Sequence, residues 1–319
     1  MFLRPIIMAI VVFMTPAAQL AYSAEFHNAQ LETQVEALFT GDRDSAEIKL
    51  TIDHMVEPGV DVAASLKIID QMAADIERMR TQAGATTDFD KLAVLRRYLY
   101  EPGPWNGGKV FAYDRVDPLG KRPETRLLSY YLEARQGNCV SMPTLMMVLG
   151  NRMGLKMTLA LAPWHNLVKF TDSEGREWNL EATSGGGFTR ESHYRKLMPD
   201  INDDAVKNGV YLRGLPREEL IATTVSGMLV SQLMEQGRLE DAMAVSERLL
   251  RHAPDSVPLK LTRATILTLF IKRDVISRYT NLNELPPDVL AYANDLYRQN
   301  KAAFDEAEAL GWRDSAKPF

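Results

Sequence analysis

One cysteine, Cys139, serves a chain of 319 residues. No disulfide can close within it, so the fold must be held by a hydrophobic core. With 46% of residues hydrophobic and 25% charged, the chain can bury such a core and is expected to divide into two or three units. The formal net charge is −5 and the Lys and Arg residues are spread out, which argues against a phosphate-binding surface. Nucleic acid is not an expected partner. The thiol is therefore either a buried, inert apolar group or a working one.

The first residues, "MFLRPIIMAIVVFMTPAAQLAYSAEF", combine Arg4, an apolar run from Ile6 to Met14 and small residues from Ala21 to Ala24. That is the layout of a secretory signal peptide over 1–23, with cleavage before Ala24 and an uncleaved anchor as the alternative. The run is shorter than the roughly 20 apolar residues a membrane span needs. The expectation is a periplasmic or secreted protein with no membrane span after signal removal.

Residues 25–100 show apolar residues at helical spacing in "LETQVEALF", "AEIKLTIDHMV" and "VAASLKIIDQMAADIERM", broken at 57–59 and 83–88. His27 and His54 lie here without metal-ligand spacing and read as surface or packing residues. Next comes "EPGPWNGGKVFAYDRVDPLGKRPETR", a long Gly- and Pro-rich loop around a short strand expected at 109–113. Trp105 in this loop either lines a substrate groove or caps a core edge, and Trp164 is a second candidate for such a groove.

The cysteine itself sits in "RQGNCVSMPTLMMVLG". Gly137 is expected to stop one helix, Asn138 to cap the next, and Pro143 to lie in its first turn. A thiol near that end feels the positive pole of the helix and free backbone N–H groups, which favour the thiolate and can hold an oxyanion. Downstream, "LKMTLALAPWHNLVKF" and "REWNLEAT" read as two strands flanking the turn "TDSEG". An odd loop length would place His165 and Glu181 on one face, opposite or one diagonal step apart. Nucleophile, base and orienting acid would then be assembled from Cys139, His165 and Glu181. Gln136 and Asn138 are candidate oxyanion donors or helix caps, and Arg135 either orders this turn or is a solvated surface residue. "TSGGGF", after Glu181, reads as a flexible turn beside the site, and no Lys-Ser/Thr pair follows to make it a phosphate loop.

The last third carries 34 residues, Thr223 to Ser256, at the tetratricopeptide period. Gly237 falls at the interhelical turn, Ala242 at the close approach, and Pro254 at the end. More degenerate helices follow to about residue 312. Their face could bind a protein partner or serve as a packing platform.

At "YYLEARQGNCVSMPTLMMVLGNRMGLKM", "APWHNLVKF" and "WNLEATSGGGFTRE" the chain resembles the transglutaminase-like superfamily, in the bacterial branch with helical N-terminal and tetratricopeptide-like C-terminal segments. The resemblance implies an α+β fold: a papain-like core over 101–215 between a helical region (25–100) and repeat-like helices (216–312). It implies Cys139 as nucleophile, His165 as base and Glu181 as acid. The family acid is usually Asp, so Asn179 is the alternative to Glu181. The implied chemistry is attack of a thiolate on an amide carbonyl of an envelope protein or peptide, the thioester being resolved by water or by an amine. No cofactor is implied, and the five His and one Cys show no metal-ligand cluster. The reading from another class is a non-catalytic scaffold that binds a partner.

Overall fold

Short side chains that can cap a helix precede each apolar helical stretch near the N-terminus, and the helices start where they stand. The computed structural model describes residues 29–118 and 120–314; the expected signal peptide, its cleavage site and His27 lie outside them. Helix α1 covers 29–37. Asp44 accepts the Glu47 N–H at 2.8 Å to open α2 (Ser45–Val56), and Asp61 does the same for α3 (Val62–Gln82) from Ala64 at 2.9 Å. Thr87 and Asp90 form a reciprocal capping box at α4 (Asp88–Tyr100).

The loop that follows holds a short strand, β1 (Ala112–Tyr113), and leads to α5 (Leu128–Ala134). Arg135, with φ at 54°, ends α5 two residues before the expected stop at Gly137. Its guanidinium donates to the Asn106 carbonyl at 2.8 Å and lies over Phe111, so Arg135 orders this turn. Gly137 is needed for a different reason. It sits in β2 (Gln136–Gly137), parallel to β1, where a Cβ would come within 2.6 Å of the Tyr131 ring.

Helix α6 (Ser141–Arg152) is buried from Ser141 to Gly150 and packs on a four-stranded antiparallel sheet. The stretch expected as one strand is two: β3 (Lys156–Ala162) and β4 (His165–Thr171), joined by Pro163 and Trp164. Trp164 takes a left-handed φ of 57°, which closes the tight connection so that Ala162 pairs with His165. Proline cannot donate to a ladder, and Pro163 was the local signal for the break. Strands β5 (Glu177–Glu181) and β6 (Gly187–Phe188) complete the order β3-β4-β5-β6.

Two short helices, α7 (Glu191–Leu197) and α8 (Asp203–Lys207), return the chain to the outer end of β3 and β4. The remaining elements are all helical. Helix α9 (Arg217–Val225) runs through a π-helical turn (Ser226–Val230) into α10 (Ser231–Glu235), then come α11 (Leu239–His252), α12 (Val257–Ile271) and α13 (Pro287–Ala309). None of the described helices is long and apolar enough to cross a membrane.

Helices placed around one small antiparallel sheet make this an α+β fold. Apolar residues of α3, α4, α5 and α6 share a core with the sheet. A second core joins α1 and α2 to α9–α12. Helix α2 serves both, with Ala46 and Leu50 in the first and Ile48, Ile52 and Val56 in the second. Arg248 of α11 also reaches Glu32 at 2.6 Å and Glu36 at 2.9 Å, so the C-terminal helices are tied to the N-terminal ones.

Gly237 turns α10 into α11 with φ at 73°, and Ala242 is fully buried just beyond it. Leucine at position 242 should overpack this contact and destabilise by about 1 to 3 kcal/mol. Thermal unfolding of Ala242→Leu measures it, and an unchanged midpoint would show that the two helices do not approach closely there.

Candidate active site

Asn138 is fully buried, and its Oδ1 accepts the N–H of Val140 at 2.9 Å and of Ser141 at 3.3 Å. This turn leads into α6 and holds Cys139 at its mouth, half-buried, with Pro143 in the first turn of the helix. The Asn138 amide nitrogen donates to the Thr125 carbonyl at 3.0 Å and to its hydroxyl at 3.3 Å. Asn138 is thus a cap whose donors are spent, which corrects the expectation that it could hold an oxyanion. Gln136 is exposed on β2, three residues before the thiol. The Cys139 backbone N–H meets no acceptor among the described residues.

The thiol points along the β3–β4 turn, with Sγ 3.8 Å from the Trp164 carbonyl. His165 is the first residue of β4, and Glu181 is the last of β5. Residues 172–176 connect these strands, an odd number, so the two side chains share a face. The register sets Val168 opposite Leu180, which places Glu181 one diagonal step from His165. His165 Nε2 and Glu181 Oε2 are 2.8 Å apart. With Nε2 so engaged, Nδ1 is the nitrogen left for Cys139, which lines the same groove as the ring.

Asn179, the alternative partner for His165, lies on the same face but accepts from Lys169 Nζ at 2.8 Å across the strands. It is therefore committed elsewhere. Glu181 is held from three sides: the ring of His165, the Thr183 N–H and hydroxyl at 3.1 and 2.5 Å, and the Tyr194 hydroxyl at 3.0 Å. Tyr194 comes from α7 and is buried. No local pattern pointed to it, because α7 reaches the sheet only through tertiary packing. "TSGGGF" is pinned in place rather than free, with Arg96 donating to the Gly185 carbonyl at 3.1 Å and Gly186 packed against Met146 and Tyr100.

Trp105 lies under the Arg97 guanidinium, 4.6 Å from its ring centroid, and packs against the first core. Of its two expected roles the structure assigns the packing one. Trp164 is half exposed beside the thiol and lines a groove of about 640 Å³ together with Cys139 and His165. His54 is remote, its Nδ1 paired with the Val60 carbonyl. Among the described residues no group of His, Cys, Asp and Glu could hold a metal ion.

The electrostatics follow from this geometry. Burial alone would push His165 down, but Cys139 and the Glu181 carboxylate beside the ring outweigh burial and raise it to about 9. Burial likewise pushes the Glu181 carboxyl up, and the His165 hydrogen bond, its positive charge and Thr183 together hold it below the usual range. His165 is thus raised above its unfolded value of 6.5, so its contribution to stability is complete below that pH and is lost as pH rises through about 9. Urea unfolding should show a loss on the order of 1 to 3 kcal/mol across that window, and His165→Gln should flatten it. Equal slopes for the two proteins would mean that the ring is not held as an imidazolium.

The model of the transglutaminase-like superfamily matches residues 63–225, just over half of the 319-residue chain. The chain belongs to this superfamily. The matched region contains Cys139, His165 and Glu181 and begins in α3. The chain is also similar to the protein SirB1 of Salmonella typhimurium (strain LT2) and of Salmonella typhi, each 27% identical over 128 residues, 40% of this chain and 47% of the relative. The match spans about half the length of these curated relatives. No solved structure matches the chain significantly.

Proposed function

We propose that this transglutaminase-like protein is an exported thiol-dependent acyl hydrolase or acyltransferase, acting on an amide of a protein or peptide in the cell envelope. The observation that carries the proposal is the imidazole of His165, hydrogen-bonded to the Glu181 carboxylate and lining one groove with the Cys139 thiol. In this reading His165 takes the thiol proton and the thiolate forms a C–S bond to the amide carbonyl. The developing oxyanion is met by the unengaged Cys139 N–H, and Gln136 is the nearby side-chain amide that could join it. His165 then gives its proton to the leaving amine as the C–N bond breaks. Water or a second amine attacks the thioester and His165 accepts its proton; the C–S bond then breaks to expel the thiolate, which recovers the proton from His165. Glu181 holds the ring and balances its charge throughout. No cofactor enters the cycle.

Export is inferred from the pattern of residues 1–23, and N-terminal sequencing of the native protein should find Ala24 or Glu25 first. The chemistry is tested by incubating the protein with peptides or exported proteins and seeking a hydroxylamine-labile acyl adduct on Cys139 by mass spectrometry. The adduct should form on the wild-type protein and be missing from Cys139→Ala. If a demonstrably reactive thiol accumulates no adduct and releases no product, the acyl-transfer reading fails.

A further inference from the structure

The groove at Cys139 has two unlike walls. One is the transglutaminase-like core, with Trp164 and His165 at the β3–β4 turn. The other is built by the C-terminal helices, with Val257 and Leu261 of α12, Phe304 of α13, and Trp312 beyond it. This wall is mainly apolar and aromatic, with Thr265 and Asp314 as its polar members. The groove leads inward to a smaller cavity of about 100 Å³ that shares Arg126, Val140, Leu161, Asn166 and Gly227 with it. Leu159, Leu215 and Met228 line the interior of this cavity, and Val140 is the residue directly after the thiol. The buried Lys49 at its edge is ion-paired with Asp53, so its charge is already answered.

Gly227 stands at the junction, within the π-helical turn, and a Cβ placed there would find no heavy atom within 4 Å. A π-helical turn is uncommon and recurs at functional sites. The missing side chain therefore keeps the passage from groove to cavity open. An apolar cavity of about 150 Å³ accepts a benzene-sized guest, so one somewhat smaller suits a branched aliphatic side chain.

We infer that the C-terminal helices complete a substrate subsite, and that the acyl donor is a peptide whose leucine-like side chain enters this cavity past Gly227 while its carbonyl lies at Cys139. The inference rests on Cys139 being the nucleophile. It gives the C-terminal helices a part in substrate selection. A positively charged side chain is excluded because Arg126 and Lys49 already line the cavity and burial there would strip its water.

Peptidyl chloromethyl ketones test this directly, since the thiolate forms an S–C bond and chloride leaves whichever way a natural thioester would be resolved. Leucine or lysine is placed at the first or second residue before the reactive ketone, and each alkylation rate of Cys139 is divided by the iodoacetamide rate of the same variant. In the wild-type protein leucine should exceed lysine by about 10- to 100-fold at one of the two positions. Gly227→Leu should abolish that preference, and Gly227→Ala, which occupies less of the passage, should fall between. The graded series guards against a folding defect, which would not scale with side-chain size. Equal rates for leucine and lysine at both positions, or a preference that survives Gly227→Leu, overturn the inference while leaving the nucleophile intact. A Cys139 inert to iodoacetamide as well would overturn the nucleophile reading itself, and the inference with it.

Discussion

Iodoacetamide should alkylate Cys139 readily at pH 6. The expectation comes from the two groups that can stabilise the thiolate: the start of α6, with its unengaged N–H, and the imidazolium of His165. His165→Ala removes the cation and should slow labelling at pH 6 by about 30- to 100-fold, a size in keeping with the loss of a positioned acid-base partner. Glu181→Ala should cost less, about 10-fold, because the carboxylate works through the ring. Tyr194→Phe should be milder still, since Glu181 keeps its contacts to Thr183 and His165. Mass spectrometry of the alkylated peptide reads the rates, with circular dichroism to confirm that each variant is folded. If Cys139 reacts only above pH 8, at a rate indifferent to His165, the protein is better described as a scaffold built on a transglutaminase-like core.

Replacing Asp53 should be the most damaging single change to stability, although Asp53 lies far from the thiol in sequence. Its side chain is fully buried; Oδ1 is ion-paired with Lys49, one turn away on α2, and Oδ2 accepts the Leu128 N–H at 2.7 Å at the start of α5. One carboxylate therefore neutralises a buried ammonium and caps a helix 75 residues along the chain. Asp53→Ala strands both, and removal of one member of a buried pair costs about 3 to 5 kcal/mol. Asp53→Asn keeps an acceptor for α5 and should lose less. The double variant Lys49→Met with Asp53→Leu removes both charges and should recover much of the loss. Equilibrium unfolding in urea distinguishes the three. A loss under about 1 kcal/mol for Asp53→Ala would mean that the pair does not hold α5. Because α5 runs directly into β2 and the Asn138 turn, the same change should also lower the labelling rate of Cys139.

The features legible in the chain were those decided within a few residues. Asp44, Asp61 and Thr87 open helices because each side chain reaches an N–H three residues on. Cys139 sits before a helix because Asn138, Pro143 and the apolar run all agree. His165 and Glu181 share a face because strand side chains alternate and the connecting segment has odd length. Pro163 shows the cost of setting a local signal aside, since it split one expected strand into a hairpin.

Distant partners were decided by packing. The choice of Glu181 over Asn179 depended on Lys169 taking the amide, and the fate of Asn138 depended on Thr125 arriving from the preceding loop. Tyr194 reached Glu181, Asp53 reached α5, and α12 and α13 came to face the thiol through segments brought together by burial of apolar surface. Local rules set which dihedrals and faces a segment presents, a matter of a few neighbouring bonds. Which polar group then meets which depends on how whole elements close over a common core, and that information is spread across the chain rather than held in any one stretch.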